Sequence, residues 1–242
     1  MKISKNILKV LTLALAIGFT SCNNEDDPLG SGEGKLGFAF VLNNGTQSSQ
    51  NGRVANSNLT IESGFIQIKE LELEVEGRNE SGNFSKEFEI EFNDIRKITF
   101  NEFDESTDFI INIEAGEYRE IEIELDLIDY RNEPSIFIEG TYSFSDGSTA
   151  PLIYEYFGDD IDFEVEIEGE GQFFTIDAMN NPLVLFEINA NNWFRGISDA
   201  DFENAELVNG TLLINRNTNR NIYKRVSDNI DKFADIEIEL KN

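Results

Sequence analysis

Alternation of apolar and polar residues, most of the polar ones acidic, recurs along this chain and restricts it to β-structure. Clear runs lie at 88–92, 109–113, 121–127, 161–167 and 236–240. Successive side chains of a strand point to opposite faces of a sheet, so the apolar members would face a core and the glutamates would face water. The pattern predicts an all-β fold, an antiparallel β-sandwich. Further strands are predicted at 36–42, 136–144, 152–157, 173–177, 183–188 and 207–214.

One strand shows a change of parity. Ile66 and Ile68 occupy even positions, whereas Leu71, Leu73 and Val75 occupy odd ones. A single inserted residue shifts the alternation in this way, which predicts a β-bulge at Lys69-Glu70.

One segment near the end of the chain has helical rather than strand periodicity. Apolar residues recur three or four positions apart between Asn221 and Ala234, at Ile222, Val226, Ile230 and Phe233. The spacing predicts one C-terminal amphipathic helix on the sheet, with Asn219 or Asn221 as its N-cap.

The first 21 residues have the order of a secretory signal peptide. Three lysines precede a short apolar stretch at 10–19, and small residues follow before Cys22. The stretch is shorter than the roughly 20 residues that span a bilayer. The element 19–22 resembles a bacterial lipobox, which implies that Cys22 carries the lipid, palmitate included, and becomes the first mature residue. Cys22 is then the membrane attachment point.

Residues 22–34 form an acidic, glycine-rich stretch that predicts a flexible tether. Its acidic cluster resembles the surface-export signal of Bacteroidota lipoproteins and implies a position on the outer face of the outer membrane; a soluble spacer is the alternative. Residues 35–242 are predicted to form the β-sandwich domain. The segment 129–135 is its best internal boundary, although one continuous sandwich is favoured.

Composition excludes several kinds of chemistry. The chain has no histidine and one cysteine, which excludes a Ser-His-Asp triad, a histidine metal site and an internal disulfide. Its net charge is −28, and loss of the three signal-peptide lysines takes the mature protein to near −31. That charge repels nucleic acid, so no nucleic-acid partner is expected.

The glutamates themselves suggest two interpretations. A glycosidase needs two carboxylates about 5–10 Å apart across a cleft, and this chain has many glutamates. Glutamates that alternate with apolar residues are explained more simply as a solvated sheet face. We therefore expect no enzymatic activity and no cofactor.

Three aspartates are candidate Ca²⁺ ligands, Asp159, Asp160 and Asp162. Calcium takes several carboxylate and carbonyl oxygens from a flexible loop, but the spacing here does not match an EF-hand. A solvated acidic loop is the favoured interpretation.

Aromatic and amide side chains cluster at 189–196, which is predicted to be a loop. Trp193, Phe194, Asn191 and Asn192 would suit a carbohydrate contact. Insertion of the aromatic rings into the end of the core is the favoured alternative.

The stretch 111–125 contains the pattern apolar-x-Ala-Gly-x-Tyr-x-x-Ile-x-Ile-x-Leu. It resembles a family of bacterial lipoprotein domains of unknown function with a prealbumin-like or immunoglobulin-like sandwich, over about residues 35–190. At Ala115-Gly116-Glu117-Tyr118 a tight turn is expected, with Gly116 at positive φ and Tyr118 anchoring the next strand.

These features together predict a non-enzymatic cell-envelope lipoprotein that is displayed at the surface as a binding or structural module. One alternative is a glycan-binding accessory protein of a polysaccharide-uptake system, which needs exposed Trp193 or exposed tyrosines. The other is a fimbrial or adhesin-like subunit, which needs an exchangeable edge strand at 236–240. A partner beyond the membrane, whether glycan or protein, is left open.

Overall fold

The structure, a computed structural model, describes residues 29–30, 32–43, 56–103, 106–168, 173–232 and 236–241. The predicted signal peptide and Cys22 lie outside them. The described residues form a β-rich fold with three helices. The strands are β1 (Leu29–Gly30), β2 (Gly34–Leu42), β3 (Leu59–Asn79), β4 (Gly82–Asn101), β5 (Phe109–Ile113), β6 (Gly116–Leu127), β7 (Ile136–Ser143), β8 (Thr149–Tyr156), β9 (Asp162–Glu168), β10 (Phe174–Ile176), β11 (Leu183–Ile188), β12 (Leu212–Ile214) and β13 (Ile236–Lys241). The helices are α1 (Ala190–Trp193), α2 (Asp199–Glu203) and α3 (Arg220–Lys232).

The strands form two sheets. The smaller has the order β1-β5-β2-β11-β13; the larger has the order β10-β6-β3-β7-β8-β12, with β4 paired to β3 and β9 paired to β6. Most pairs are antiparallel, as predicted. Three are parallel, β1 with β5, β2 with β11 and β8 with β12, so the sheets are mixed. The strands of each parallel pair are separated in sequence by other elements. Alternation within a strand does not reveal which distant strand lies beside it, so the sequence did not predict these pairs.

Most buried apolar side chains, from both sheets and from the helices, form one continuous cluster, and Ala39, Val41 and Leu185 of the smaller sheet form a second, small one. The smaller sheet contributes stacked phenylalanines to the main cluster: the ring centroids of Phe38 and Phe109 are 4.6 Å apart, and those of Phe40 and Phe186 are 4.4 Å apart. The loop 129–135, the predicted boundary, leads from β6 to β7. Both strands pair with β3 in the same sheet.

The N-terminal part of the smaller sheet includes residues predicted as tether. Leu29 and Gly30 lie beside Ile111 and Asn112 as the short strand β1, and β2 begins at Gly34. The described end of the predicted tether therefore contributes to the sheet.

The helix predicted at the end of the chain is confirmed as α3. Ile222, Val226 and Ile230 are buried along one side, and Phe233 lies outside the described residues. The backbone carbonyl of Asn219 accepts hydrogen bonds from the N–H groups of Ile222 and Tyr223. Its side-chain amide donates to the carbonyls of Glu206 and Leu213 and accepts from the Glu206 N–H. The helices α1 and α2 were not predicted. None of the described helices is long and apolar enough to cross a membrane.

The expectation of a positive φ at Gly116 is wrong. Gly116 begins β6 and is not among the glycines with positive φ. A Cβ there would lie 3.2 Å from the carbonyl oxygen of Arg78, so the close approach of β3 favours a small residue. Tyr118 is buried, and its hydroxyl donates to the carbonyl of Glu114, which ties the start of β6 to the preceding turn.

The bulge predicted at Lys69-Glu70 is confirmed. The register of β3 shifts between Ile68 and Glu70 against both β4 and β6, and Lys69 is exposed. Because of this shift, the apolar residues on both sides of the bulge reach the same core. Ile66 and Ile68 are buried before it, and Leu71, Leu73 and Val75 are buried after it.

Deletion of Lys69 should lower the free energy of unfolding by several kcal/mol. The deletion turns one half of β3 over, and two or three large side chains lose burial at about 1.5–3 kcal/mol each. Lys69→Ala keeps the residue count and should change stability by less than about 0.5 kcal/mol. Urea unfolding of both variants tests this. A deletion variant as stable as the parent would contradict the role assigned to the bulge.

Candidate functional site: an acidic sheet face

Four neighbouring strands of the larger sheet, in the order β4-β3-β6-β9, turn their acidic residues to the same outer surface. Hydrogen-bonded pairing places these residues side by side in rows, and the intervening apolar residues are directed to the core. We call this surface the carboxylate face. Its fourteen acidic residues are Glu70, Glu72, Glu74 and Glu76 on β3, Glu87, Glu89 and Glu91 on β4, Glu120, Glu122, Glu124 and Asp126 on β6, and Asp162, Glu164 and Glu166 on β9.

Three rows cross all four strands. The first is Glu91-Glu70-Asp126-Asp162, the second Glu89-Glu72-Glu124-Glu164, and the third Glu87-Glu74-Glu122-Glu166. Residues opposite one another on paired strands have Cβ atoms about 4.5–5.5 Å apart, and alternate residues of one strand are about 6.6–6.8 Å apart. The result is a regular array of like charges.

Three strands of this array, β4, β3 and β6, enclose a shallow depression. Its volume is about 60 Å³, and it is lined by Glu72, Leu73, Glu74, Glu87, Glu122 and Glu124. The side chains of the outer strands, such as Glu89 and Glu164, are exposed. The centre of the face therefore presents carboxylate oxygens to solvent from three strands at once.

Crowding of like charges raises the pKa values of several of these carboxyl groups. A hydrogen bond with Glu89, partial burial and the nearby negative charges raise the pKa of Glu70 to about 7. A hydrogen bond with Glu164 likewise raises the pKa of Glu122. Burial and neighbouring carboxylates raise the pKa values of Glu124 and Asp162. Repulsion between neighbouring carboxylates raises the free energy of the ionised face, and a bound cation would reduce that repulsion.

Acidic residues elsewhere in the described chain behave in the opposite way where they have cationic or N–H partners. The Lys86 ammonium lowers the pKa of Glu114, and the Arg78 guanidinium, 2.6 Å away, lowers the pKa of Glu117. Neither Glu114 nor Glu117 belongs to the carboxylate face: Arg78 and Glu117 lie opposite each other beyond its Glu76 end, and Lys86 lies on β4 opposite Val75.

The three aspartates considered as candidate calcium ligands do not form a group of their own. Asp160 accepts a hydrogen bond from the Tyr156 hydroxyl, and Asp159 is exposed. Asp162 instead lies with Glu124 and Asp126, and one carboxylate oxygen from each falls within 4.8 Å of the others. Calcium takes 6–8 oxygen ligands, so these three carboxylates supply part of a coordination shell. This group forms because β6 pairs with β9, and the spacing of the aspartates along the chain does not reveal that pairing.

Of the four candidate carbohydrate contacts, Asn191, Asn192 and Trp193 lie in helix α1 rather than in a loop, and Phe194 follows as its C-cap. Trp193 and Phe194 are buried, at 0% and 1% exposure, and the Trp193 ring lies 6.1 Å from that of Phe163. Asn191 and Asn192 are partly exposed on the same turn. The aromatic rings therefore close the core, as the favoured alternative predicted, and form no platform for a sugar.

The chain was compared with protein families, with curated proteins and with solved structures. No family, no curated protein and no solved structure matches it.

Glu70→Gln should make stability less dependent on pH. The folded carboxyl keeps its proton up to about pH 7, whereas its ordinary pKa is 4.5, so the folded state binds more protons between these values. Stability contributed by this group is therefore present below pH 4.5 and is lost as the pH rises through 7. At pH 8 and low salt we expect the variant to melt about 1–3 °C above the parent, with a smaller difference at pH 5.

Glu80→Gln is the matched control, because Glu80 is exposed in the turn between β3 and β4, outside the carboxylate face. Both variants lose one negative charge. Equal shifts in melting temperature for the two would show that net charge, rather than the Glu70–Glu89 contact, sets the effect. Calorimetry at pH 5 and pH 8 distinguishes these results.

Proposed function

We propose that this protein is a non-enzymatic lipoprotein of the bacterial cell envelope, displayed at the cell surface, where it binds a partner through its carboxylate face. The proposal rests on the exposure of that face to solvent. Four paired strands present a rigid array of carboxylates, and seven of them are exposed: Glu74, Glu87, Glu89, Glu91, Asp162, Glu164 and Glu166.

Anchoring rests on the sequence of the N-terminus. The predicted signal peptide covers residues 1–21 and is followed by Cys22, which completes a segment that resembles a lipobox; an acidic stretch comes next. A lipid on Cys22 would hold the domain at the outer membrane, while a surface position would leave the carboxylate face open to external partners. We further propose that the two sheets pack as a sandwich of the kind that the resemblance to prealbumin-like lipoprotein domains implies.

Binding, rather than hydrolysis, is the activity that the described surface favours. The carboxylates stand on a sheet face around a depression of about 60 Å³, whereas ligand pockets are usually clefts of about 300–1,000 Å³. A glycosidase also needs an acid and a base on opposite sides of a bound sugar. Carboxylates that project in parallel from one face suit contact with a charged partner better than cleavage of a bond.

Cys22→Ser should release the protein from the membrane. The substitution removes the thiol that would be acylated, so the variant should leave the outer-membrane fraction after a high-salt wash. Ser31→Ala, in the predicted tether, keeps the thiol and should remain with the membrane. Fractionation, with protease treatment of intact cells to test surface exposure, provides the measurement. A Cys22→Ser protein that still sediments with membranes in high salt would contradict the lipoprotein assignment.

A fimbrial or adhesin-like subunit is a second candidate, and the position of β13 favours it. This strand lies at the edge of the smaller sheet and pairs with β11 through six residues. An edge strand can in principle be exchanged between copies, which is how strand complementation builds fibres.

Deletion of residues 236–242 tests this second candidate. An assembly subunit should form oligomers that the deletion abolishes, because the exchanged strand is lost. A binding module should be monomeric with or without β13, although less stable in its absence. Light scattering on size-exclusion fractions measures the mass, and monomers at every concentration for the full chain would exclude assembly through β13.

A further inference from the structure

A groove of about 350 Å³ lies at the end of the larger sheet where β3 turns into β4. Its lining combines the exposed ring of Phe173 with the polar side chains of Glu76, Asn83, Ser85 and Arg119. Ligand pockets usually have volumes of about 300–1,000 Å³, and they combine apolar surface with a few polar groups. The groove therefore has the size and the mixed lining of a small-molecule site.

A register shift in β6 brings Arg119 to this groove. Glu120 pairs with Glu76 and Tyr118 pairs with Gly77, so Arg119 has no residue opposite it on β3. A bulge of this kind interrupts the alternation of side chains and re-aims the extra one, and bulges often lie next to functional sites. Arg119 contacts Glu76 and lines the groove. Regular strand pairing would not place a guanidinium at this position.

The ring of Phe173 is held from one side. The guanidinium carbon of Arg78 lies 4.1 Å from the ring centroid, and the same guanidinium binds the Glu117 carboxylate at 2.6 Å. A planar ring has two faces, and the stacked cation covers one of them. Since 39% of Phe173 remains exposed, the other face is available to a ligand. A ring that is already fixed loses little further conformational entropy on binding.

The charges around the groove favour a neutral ligand. Arg119 contacts Glu76 and lies 3.8 Å from Glu120, and Arg78 is paired with Glu117. An anion would approach these carboxylates, and a cation would approach the two guanidinium groups, so either would meet like charge. A neutral ligand leaves both ion pairs intact.

The hydrogen-bonding groups of the groove suit a ligand with several hydroxyls. The side chains of Asn83 and Ser85 are exposed at alternate positions of β4 and make no hydrogen bond with another described residue. Both can donate and accept, and Arg119 adds further donors. A sugar ring has an apolar face of C–H groups and hydroxyls around its rim. Such a ring can cover Phe173 while its hydroxyls reach the polar side chains.

We propose that this groove binds a neutral saccharide, with one pyranose ring stacked on Phe173 and its hydroxyls bonded to Asn83, Ser85 and Arg119. The site is separate from the buried aromatic residues around α1. It goes beyond the proposed function, because it depends neither on the membrane anchor nor on the partner of the three complete carboxylate rows.

Calorimetric titration of the purified protein with neutral hexasaccharides tests the proposal. The probes are the hexasaccharides of glucose, mannose, galactose and xylose, and oligogalacturonate serves as the charged comparison. We expect saturable binding of at least one neutral probe. Its affinity should change less than about 2-fold between about 0.05 and 0.5 M NaCl, because no ion pair forms with the ligand. Absence of saturable binding for every neutral probe would overturn the proposal, as would preferential binding of oligogalacturonate.

Two exposed phenylalanines provide a matched pair of variants. Phe173→Ala removes the ring in the groove, whereas Phe103→Ala removes a ring that is 91% exposed in the turn after β4. We expect the first to weaken saccharide binding about 10-fold, equivalent to about 1.4 kcal/mol, and the second by less than about 2-fold. Melting curves check that both variants fold. Equal losses of affinity would overturn stacking on Phe173.

A second pair of variants tests the hydroxyl contacts without removing apolar surface. Ser85→Ala removes the hydroxyl in the groove, and Ser81→Ala removes an exposed hydroxyl in the turn between β3 and β4. One hydrogen bond contributes modestly, so we expect Ser85→Ala to weaken binding by about 3-fold to 5-fold and Ser81→Ala to leave it unchanged. A Ser85→Ala protein that binds the saccharide as tightly as the Ser81→Ala protein would contradict the hydrogen bonds assigned to β4.

Discussion

The larger sheet depends on the strand β3, which pairs with three others. Its 21 residues pair with β4 on one side, and with β6 and β7 on the other. A strand this long can bury apolar residues along its whole length only if its alternation is reset where the core requires it. The bulge at Lys69 performs that reset, since Ile68 and Leu71 are both fully buried despite their opposite parity. If the reset were lost, half of β3 would direct glutamates into the core.

The same register builds the carboxylate face. Because β4 and β6 pair with the C-terminal half of β3, and β9 pairs with β6, residues of like character lie opposite each other at most positions, apolar on one side of the sheet and acidic on the other. Burial of the apolar side stabilises the sheet by about 1.5–3 kcal/mol per large side chain, and this outweighs the repulsion between partly exposed carboxylates, which water and salt screen. The core thus holds together an array of charges that would otherwise separate.

Much of the fold could be predicted from the sequence where the signal is local. Alternation located most strands, helical spacing located α3, and the parity change located the bulge at Lys69. A second register shift, between Ile61 and Ser63 against β7, was missed. Its signal was present, because Leu59 and Ile61 are buried at odd positions whereas Ile66 and Ile68 are buried at even ones. The short helix α1 was predicted as a loop because four residues are too few to show a helical period.

The sequence alone determined the chemical character of this protein: a chain without histidine, with net charge −28, whose strands carry glutamate on one side and apolar residues on the other. These properties follow from composition and from the two-residue period of a strand, which need no knowledge of neighbours. Only the tertiary structure decided which acidic residues meet. It placed Asp162 beside Glu124 and Asp126 and buried Trp193 against Phe163. It also aligned three carboxylate rows, because contacts between distant segments depend on strand order and register.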